Sequence, residues 1–347
     1  MKHSGSCRLR MAALAALAAA VFLISFLLGR YGVGPLQTVK ILLDRLLRGL
    51  SAGRLRLAQT WTETEQTVVV SVRLPRVAAA ALIGAALSCA GCAFQGMFRN
   101  PMVSPDLLGA STGAGFGAAL GILLGASYAV ITGLSFLFGL AAVLLAFLIG
   151  KMSRLDNLLS MVLAGMMVGS LFTSGTSLLK LLADTEAQLP AITYWLMGSL
   201  SSVRLGDLHF VIIPVLLGLI PLLLLSWRVN LLTVSEAEAR SMGVNTKALR
   251  SALILCATLM TAGSVAVSGM IGWVGLVVPH FARLLFGQNY RRLLPASALL
   301  GAAFLMVTDD LARLLSTGEI PLGILTSFVG VPVLLFLILR GGDRNAA

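Results

Sequence analysis

The chain has 347 residues, 58% of them hydrophobic and only 12% charged, with a mean hydropathy of +0.94. Soluble domains carry about 25% charged residues, and a folded surface must face water. This composition therefore excludes a soluble enzyme, a nucleic-acid-binding domain and a disordered chain. The net charge of +12 comes from 26 Lys and Arg against 14 Asp and Glu. Because the basic residues fall between apolar runs, the excess reads as membrane topology and not as a nucleic-acid footprint.

Ten apolar runs approach the length of about 20 residues needed to cross a bilayer. They are 11–29, 77–97, 107–125, 128–150, 158–182, 208–227, 250–269, 272–287, 294–315 and 322–340. The runs are continuous rather than alternating, which excludes a β-barrel. The first, Met11 to Leu28, has no small-residue cleavage site after it and reads as a retained helix, not a secretory signal. Ten spans place both termini on one side. With residues 1–10 and 341–347 in the cytoplasm, the inside loops collect most of the Lys and Arg.

The exception is an outside loop, residues 30–76, carrying Arg30, Lys40, Arg45, Arg48, Arg54, Arg56, Arg73 and Arg76. Long loops follow the positive-inside rule poorly, and a basic outer surface suits an acidic partner. Within it, Leu42, Leu43, Leu46, Leu47 and Leu50 recur at helical spacing. They predict a short amphipathic helix lying on the membrane, followed by a polar loop over 51–67. Arg73-Leu74-Pro75-Arg76 stands at the entrance of the second span, where interfacial snorkelling and a charged dock both fit.

Cys89 and Cys92 sit in an alanine-rich span and read as two small residues on one helix face rather than a redox or zinc pair. Gly109, Gly113 and Gly117 form overlapping small-xxx-small spacings that allow close helix approach. Residues 229–250 form the longest cytoplasmic insertion, in which Ser235 and Glu238 match a capping box and Gly243 a helix stop. A short helix presented there suits docking into another protein's cleft. Asp309 and Arg313, spaced i, i+4 at the outer end of the ninth span, can pair on one helix face. No P-loop occurs, and His3, His209 and His280 lie in unrelated contexts. Energy for uphill transport must then come from a partner protein or an ion gradient. Ion coupling would need buried acidic residues, for which Asp309 and Asp310 are the candidates.

Taken together, these features resemble the FecCD family of ABC importer permeases for iron chelates, haem and vitamin B12. The resemblance rests on residues 73–115, on YWLMGSL at 194–200, on 230–250, on SGMIGWVGLVVPHFARLLFG at 268–287, on TDDLARLL at 308–315 and on 319–339. It implies an all-α integral membrane fold of about ten transmembrane helices, of the type II importer kind. In that fold an inverted pseudo-repeat relates spans 2–5 to spans 7–10, so the whole of 1–347 would form one permease domain in the cell inner membrane. It also implies two permease copies, alike or paired with a relative, two ABC ATPase subunits, and a periplasmic or lipid-anchored substrate-binding protein. ATP and magnesium would sit on the ATPases, leaving no catalytic, cofactor or metal site in this subunit. By resemblance, Arg73, Arg76 and Arg313, the last supported by Asp309, receive acidic residues of the binding protein. Leu231, Leu232, Ser235, Glu236, Ala239 and Gly243 belong to the segment that couples to the ATPases. Val234-Ser235 departs from the Leu-Gly pair expected there. Ferric siderophore is the first-choice substrate by resemblance, with haem, cobalamin and molybdate as alternatives.

Overall fold

The computed structural model describes residues 2–51, 57–153, 157–233, 236–316 and 318–342. Among these, every regular element is helical. The chain starts with α1 (Lys2–Ser25) and an amphipathic α2 (Pro35–Leu50). A short α3 (Glu63–Thr67) continues through a π-helical stretch, Val68–Arg73, into α4 (Leu74–Phe98). Next come α5 (Ala110–Leu123), α6 (Tyr128–Met152), α7 (Asn157–Leu182), α8 (Gln188–Met197) and α9 (His209–Leu224). Two short helices follow, α10 (Ser226–Leu232) and α11 (Glu236–Ser241). The chain closes with α12 (Thr246–Ser268), α13 (Val274–Phe286), α14 (Tyr290–Leu314) and α15 (Leu322–Gly342).

Each predicted span has its helix. Among the described residues, seven helices are long and apolar enough to cross a membrane, while α5, α13 and the apolar part of α15 are shorter. Two elements differ from expectation. The stretch predicted as loop over 51–67 ends early, because Thr62 and Glu65 start a helix. Glu65 N donates to Thr62 Oγ1 at 3.2 Å, and Thr62 N donates to Glu65 Oε2 at 2.8 Å. This reciprocal capping box begins a continuous helix over Glu63–Phe98, so the outer loop is shorter than 30–76. The second is α8, whose ten residues span about 15 Å, too few to cross a bilayer.

The centre of the fold is α4, buried on all sides. Such a helix needs small apolar residues around its whole circumference, and Ala79, Ala80, Ala86, Cys89, Ala90 and Ala93 are fully enclosed. The Cys89 thiol donates to the Leu294 carbonyl at 3.4 Å, and Cys92 is buried beside it. Glycine pairs set the closest crossings. A Cβ on Gly91 would lie 1.8 Å from the Gly275 carbonyl oxygen, and one on Gly84 would lie 2.1 Å from that of Gly301. Backbone thus meets backbone where α4 crosses α13 and α14.

The two halves clasp one another. α4 packs on α13 and α14, and α12 packs on α5 and α6. Each half runs from a long helix through an irregular turn to a short helix and on to a long one. The first turn meets the start of α13 in the interior, where Pro105 abuts Gly275. This exchange of leading helices is the arrangement that an inverted repeat produces.

Candidate functional site

Three arginines and three carboxylates converge where α1 and α14 end and α4 begins. Arg76 Nε donates to both oxygens of Asp309, at 2.9 and 3.0 Å, and its Nη1 donates to Glu319 Oε1 at 2.7 Å. Asp309 also faces Arg313, whose Nε lies 3.2 Å from Oδ2. Arg313 donates to Asp310, and the other Asp310 oxygen accepts from Ser25 Oγ at 2.7 Å. Arg73 donates to the Phe26 carbonyl at 2.6 Å and to that of Tyr31. Arg313 reaches the Leu28 carbonyl at 3.2 Å. The three guanidinium groups and three carboxylates balance in charge, and the network stitches the end of α1 to α4 and α14.

Arg73, Arg76 and Arg313 are only 3%, 5% and 8% exposed, and Asp309 1%, so within this chain their charges are met by its own groups. At such burial an unpaired guanidinium would be costly, which is why the chain's own carboxylates and carbonyls surround them. Asp309 and Asp310 are likewise held by arginine, unlike the open acidic site that ion coupling would use. Among the described residues beside this network, Arg30 and Arg45 are exposed. Glu319 is the member that sequence reasoning missed. The signal available was a lone acidic residue directly before the last span.

The opposite face carries the start of α1, the end of α4 and the α10–α11 segment. Arg99 closes α4 in the left-handed conformation, at φ 50°, and its Nε donates to the Leu232 carbonyl at 2.8 Å. Asn230 accepts from the Tyr290 backbone N at 2.9 Å and donates to Asn289 Oδ1 at 3.3 Å. The segment is therefore tied to both α4 and α14. Leu231 is half-buried, Leu232 and Ala239 are buried, and Gly243 turns the chain at φ 76° after α11. Ser235 lies outside the described residues, and Glu236 opens α11. Asn245 accepts from Ala248 N at 3.0 Å and caps α12. Trp227 and Met242 remain 48% and 59% exposed beside a groove of about 480 Å³. Large apolar side chains exposed on a polar rim mark an interaction surface.

A third feature is a groove of about 700 Å³ between α8, the turn at 269–273 and α15. Leu196, Met197, Met270 and Phe328 are among its walls, and none of its described lining residues is charged.

A sequence model of the FecCD transport family matches residues 17–340. The molybdate import system permease protein MolB of Haemophilus influenzae is 43% identical over 282 residues, covering 80% of this chain and 83% of that protein. The hemin transport system permease protein HmuU of Yersinia pestis is 37% identical over 284 residues, covering 80% and 84%. Among solved structures, a metal-chelate type ABC transporter in an inward-facing conformation superposes with a TM-score of 0.83. Its identity is 37%, covering 95% of this chain and 98% of that one. An all-helical fold with exchanged halves, a helical segment held out on one face and matches of this extent lead to one conclusion: the chain belongs to the FecCD transport family and is a membrane-spanning permease subunit of an ABC transporter.

Proposed function

We propose that this permease imports a metal chelate, ferric siderophore first, delivered by a substrate-binding protein and driven by two ABC ATPase subunits. The observation that carries the substrate class is the uncharged groove between α8 and α15. A bare metal cation crossing there would find no charged ligand to replace its water. A metal enclosed in its own chelator needs none. Molybdate is the second reading, favoured by the 43% identity to a molybdate permease; it too crosses with its coordination shell complete.

On this reading the α10–α11 face is cytoplasmic, with both termini, and the ion network lies outside. Two permease copies pair to enclose the path, each contributing its groove. The binding protein docks over the outer face, with Arg30 and Arg45 meeting its acidic residues and Arg73, Arg76 and Arg313 shaping the floor beneath. The ATPases engage α10–α11, whose ties through Arg99 and Asn230 pass their motion to α4 and α14. Coupling of this kind needs rigid elements shared between two states.

The test is reconstitution with both ATPases and the binding protein in proteoliposomes. ATP-dependent accumulation of a labelled ferric siderophore, unaffected by collapsing ion gradients, is the expected result. Accumulation of molybdate, haem or cobalamin in its place would reassign the substrate. Uptake that follows the ion gradient without ATP would overturn the mechanism. In the same vesicles, Arg99→Ala removes one charge-assisted hydrogen bond, worth about 1.5–3 kcal/mol. The expected outcome is a fall in substrate carried per ATP, with the ATPases still bound. An unchanged ratio would remove Arg99 from the coupling path.

A further inference from the structure

A basic cavity of about 560 Å³ lies where α6 ends and α12 begins. Lys151, Lys247 and Arg250 line it, and none of the described lining residues is acidic. Phe147, Ser251 and Ile254 also line a second groove, of about 450 Å³, so the two cavities adjoin. That second groove runs between Leu140 and Leu144 on α6 and Leu255 and Thr258 on α12, and it is almost wholly apolar. Its α6 wall, residues 137 to 147, recurs every three or four positions and so forms one stripe. The stripe is about 15 Å long at 1.5 Å per residue, half of a hydrocarbon core about 30 Å thick. Leu137, Leu144 and Leu255 are more than half exposed, so the groove opens sideways.

We propose that this compound cavity binds an anionic phospholipid of the leaflet bordering the α10–α11 face. Its phosphate would sit between Lys151 and Lys247, and one acyl chain would lie along the α6–α12 groove. Charge at one end and an apolar channel one leaflet deep at the other match the two ends of that molecule. A basic pocket between spans at the cytoplasmic boundary is the geometry that recognises acidic headgroups. A free phosphate or an acidic protein segment would leave the apolar half unused. Asn245 and Ala248 line both this cavity and the groove beside α10–α11, so the headgroup would stand next to the segment that meets the ATPases. Naming that leaflet as cytoplasmic rests on the orientation proposed above; the binding itself does not.

The experiment is native mass spectrometry of the purified permease, alone and with its ATPases, titrated with dioleoyl phosphatidylglycerol, dioleoyl phosphatidylcholine or inorganic phosphate. Phosphatidylglycerol should bind in preference. Lys151→Gln and Lys247→Gln together should weaken it about 30-fold, as two cations near an anionic surface imply. Leu144→Trp, which fills the groove without touching charge, should weaken it too, with the melting temperature unchanged; this variant decides the matter if the double one fails to fold. Equal binding of phosphatidylcholine would overturn the proposal. So would displacement of the lipid by inorganic phosphate, which marks a free-anion site, or by the ATPases, which marks a protein interface. Full binding by Leu144→Trp would also overturn it.

Discussion

Asp309→Ala will destabilise the permease by about 3–5 kcal/mol, the usual cost of removing one partner from a buried charge pair. The variant leaves Arg76 and Arg313 without the carboxylate they share at 2.9 and 3.2 Å. Asp310 and Glu319 then face three guanidinium groups, and the outer end of the bundle holds a net positive charge. Thermal unfolding of the detergent-purified protein measures the loss. Arg76→Met combined with Asp309→Leu removes a pair without unbalancing the network, and recovers part of the stability. Arg45→Glu should leave stability alone. This residue is exposed, so the unfolding transition stays in place while the binding protein associates more slowly and with altered salt dependence. A melting temperature unmoved by Asp309→Ala would mean that the network is not structural, and would return the arginines to the role of free docking cations.

Gly91→Val is expected to abolish the native crossing of α4 with α13. The first added carbon would lie 1.8 Å from the Gly275 carbonyl oxygen and 2.7 Å from its Cα. Those atoms are backbone and cannot rotate away. Overpacking in a core costs about 1–3 kcal/mol where side chains can adjust, and more is expected where they cannot. Because α4 touches both halves of the fold, the strain would spread to α14 through Gly84 and Gly301. The measurement is the yield of monodisperse protein and its melting temperature, with Gly133→Val as the control, since nothing lies within 4 Å of a Cβ added there. Similar behaviour of the two variants would show that α4 and α13 can separate without loss of the fold.

The ten apolar helices were legible in the sequence because lipid imposes a local rule. Each crossing needs a long run of apolar residues with its backbone bonded within the run. The end of the α10–α11 segment was legible for a similar reason, since Gly243, a helix stop, acts on its neighbours. The Thr62–Glu65 capping box was equally local but lay in a polar stretch read as loop, and α8 was too short to register as a span. What the local pattern could not decide was which way the charged side chains face. Arg76 meets Asp309 across 233 residues of sequence and Glu319 across 243. At the end of a span a lone arginine can snorkel, dock or pair, and only the folding of α14 and the last turn against α4 selects pairing. The same holds for the cavity between α6 and α12. Its cations come from two helices far apart in sequence, and they form a site only because the exchanged halves bring those helices side by side.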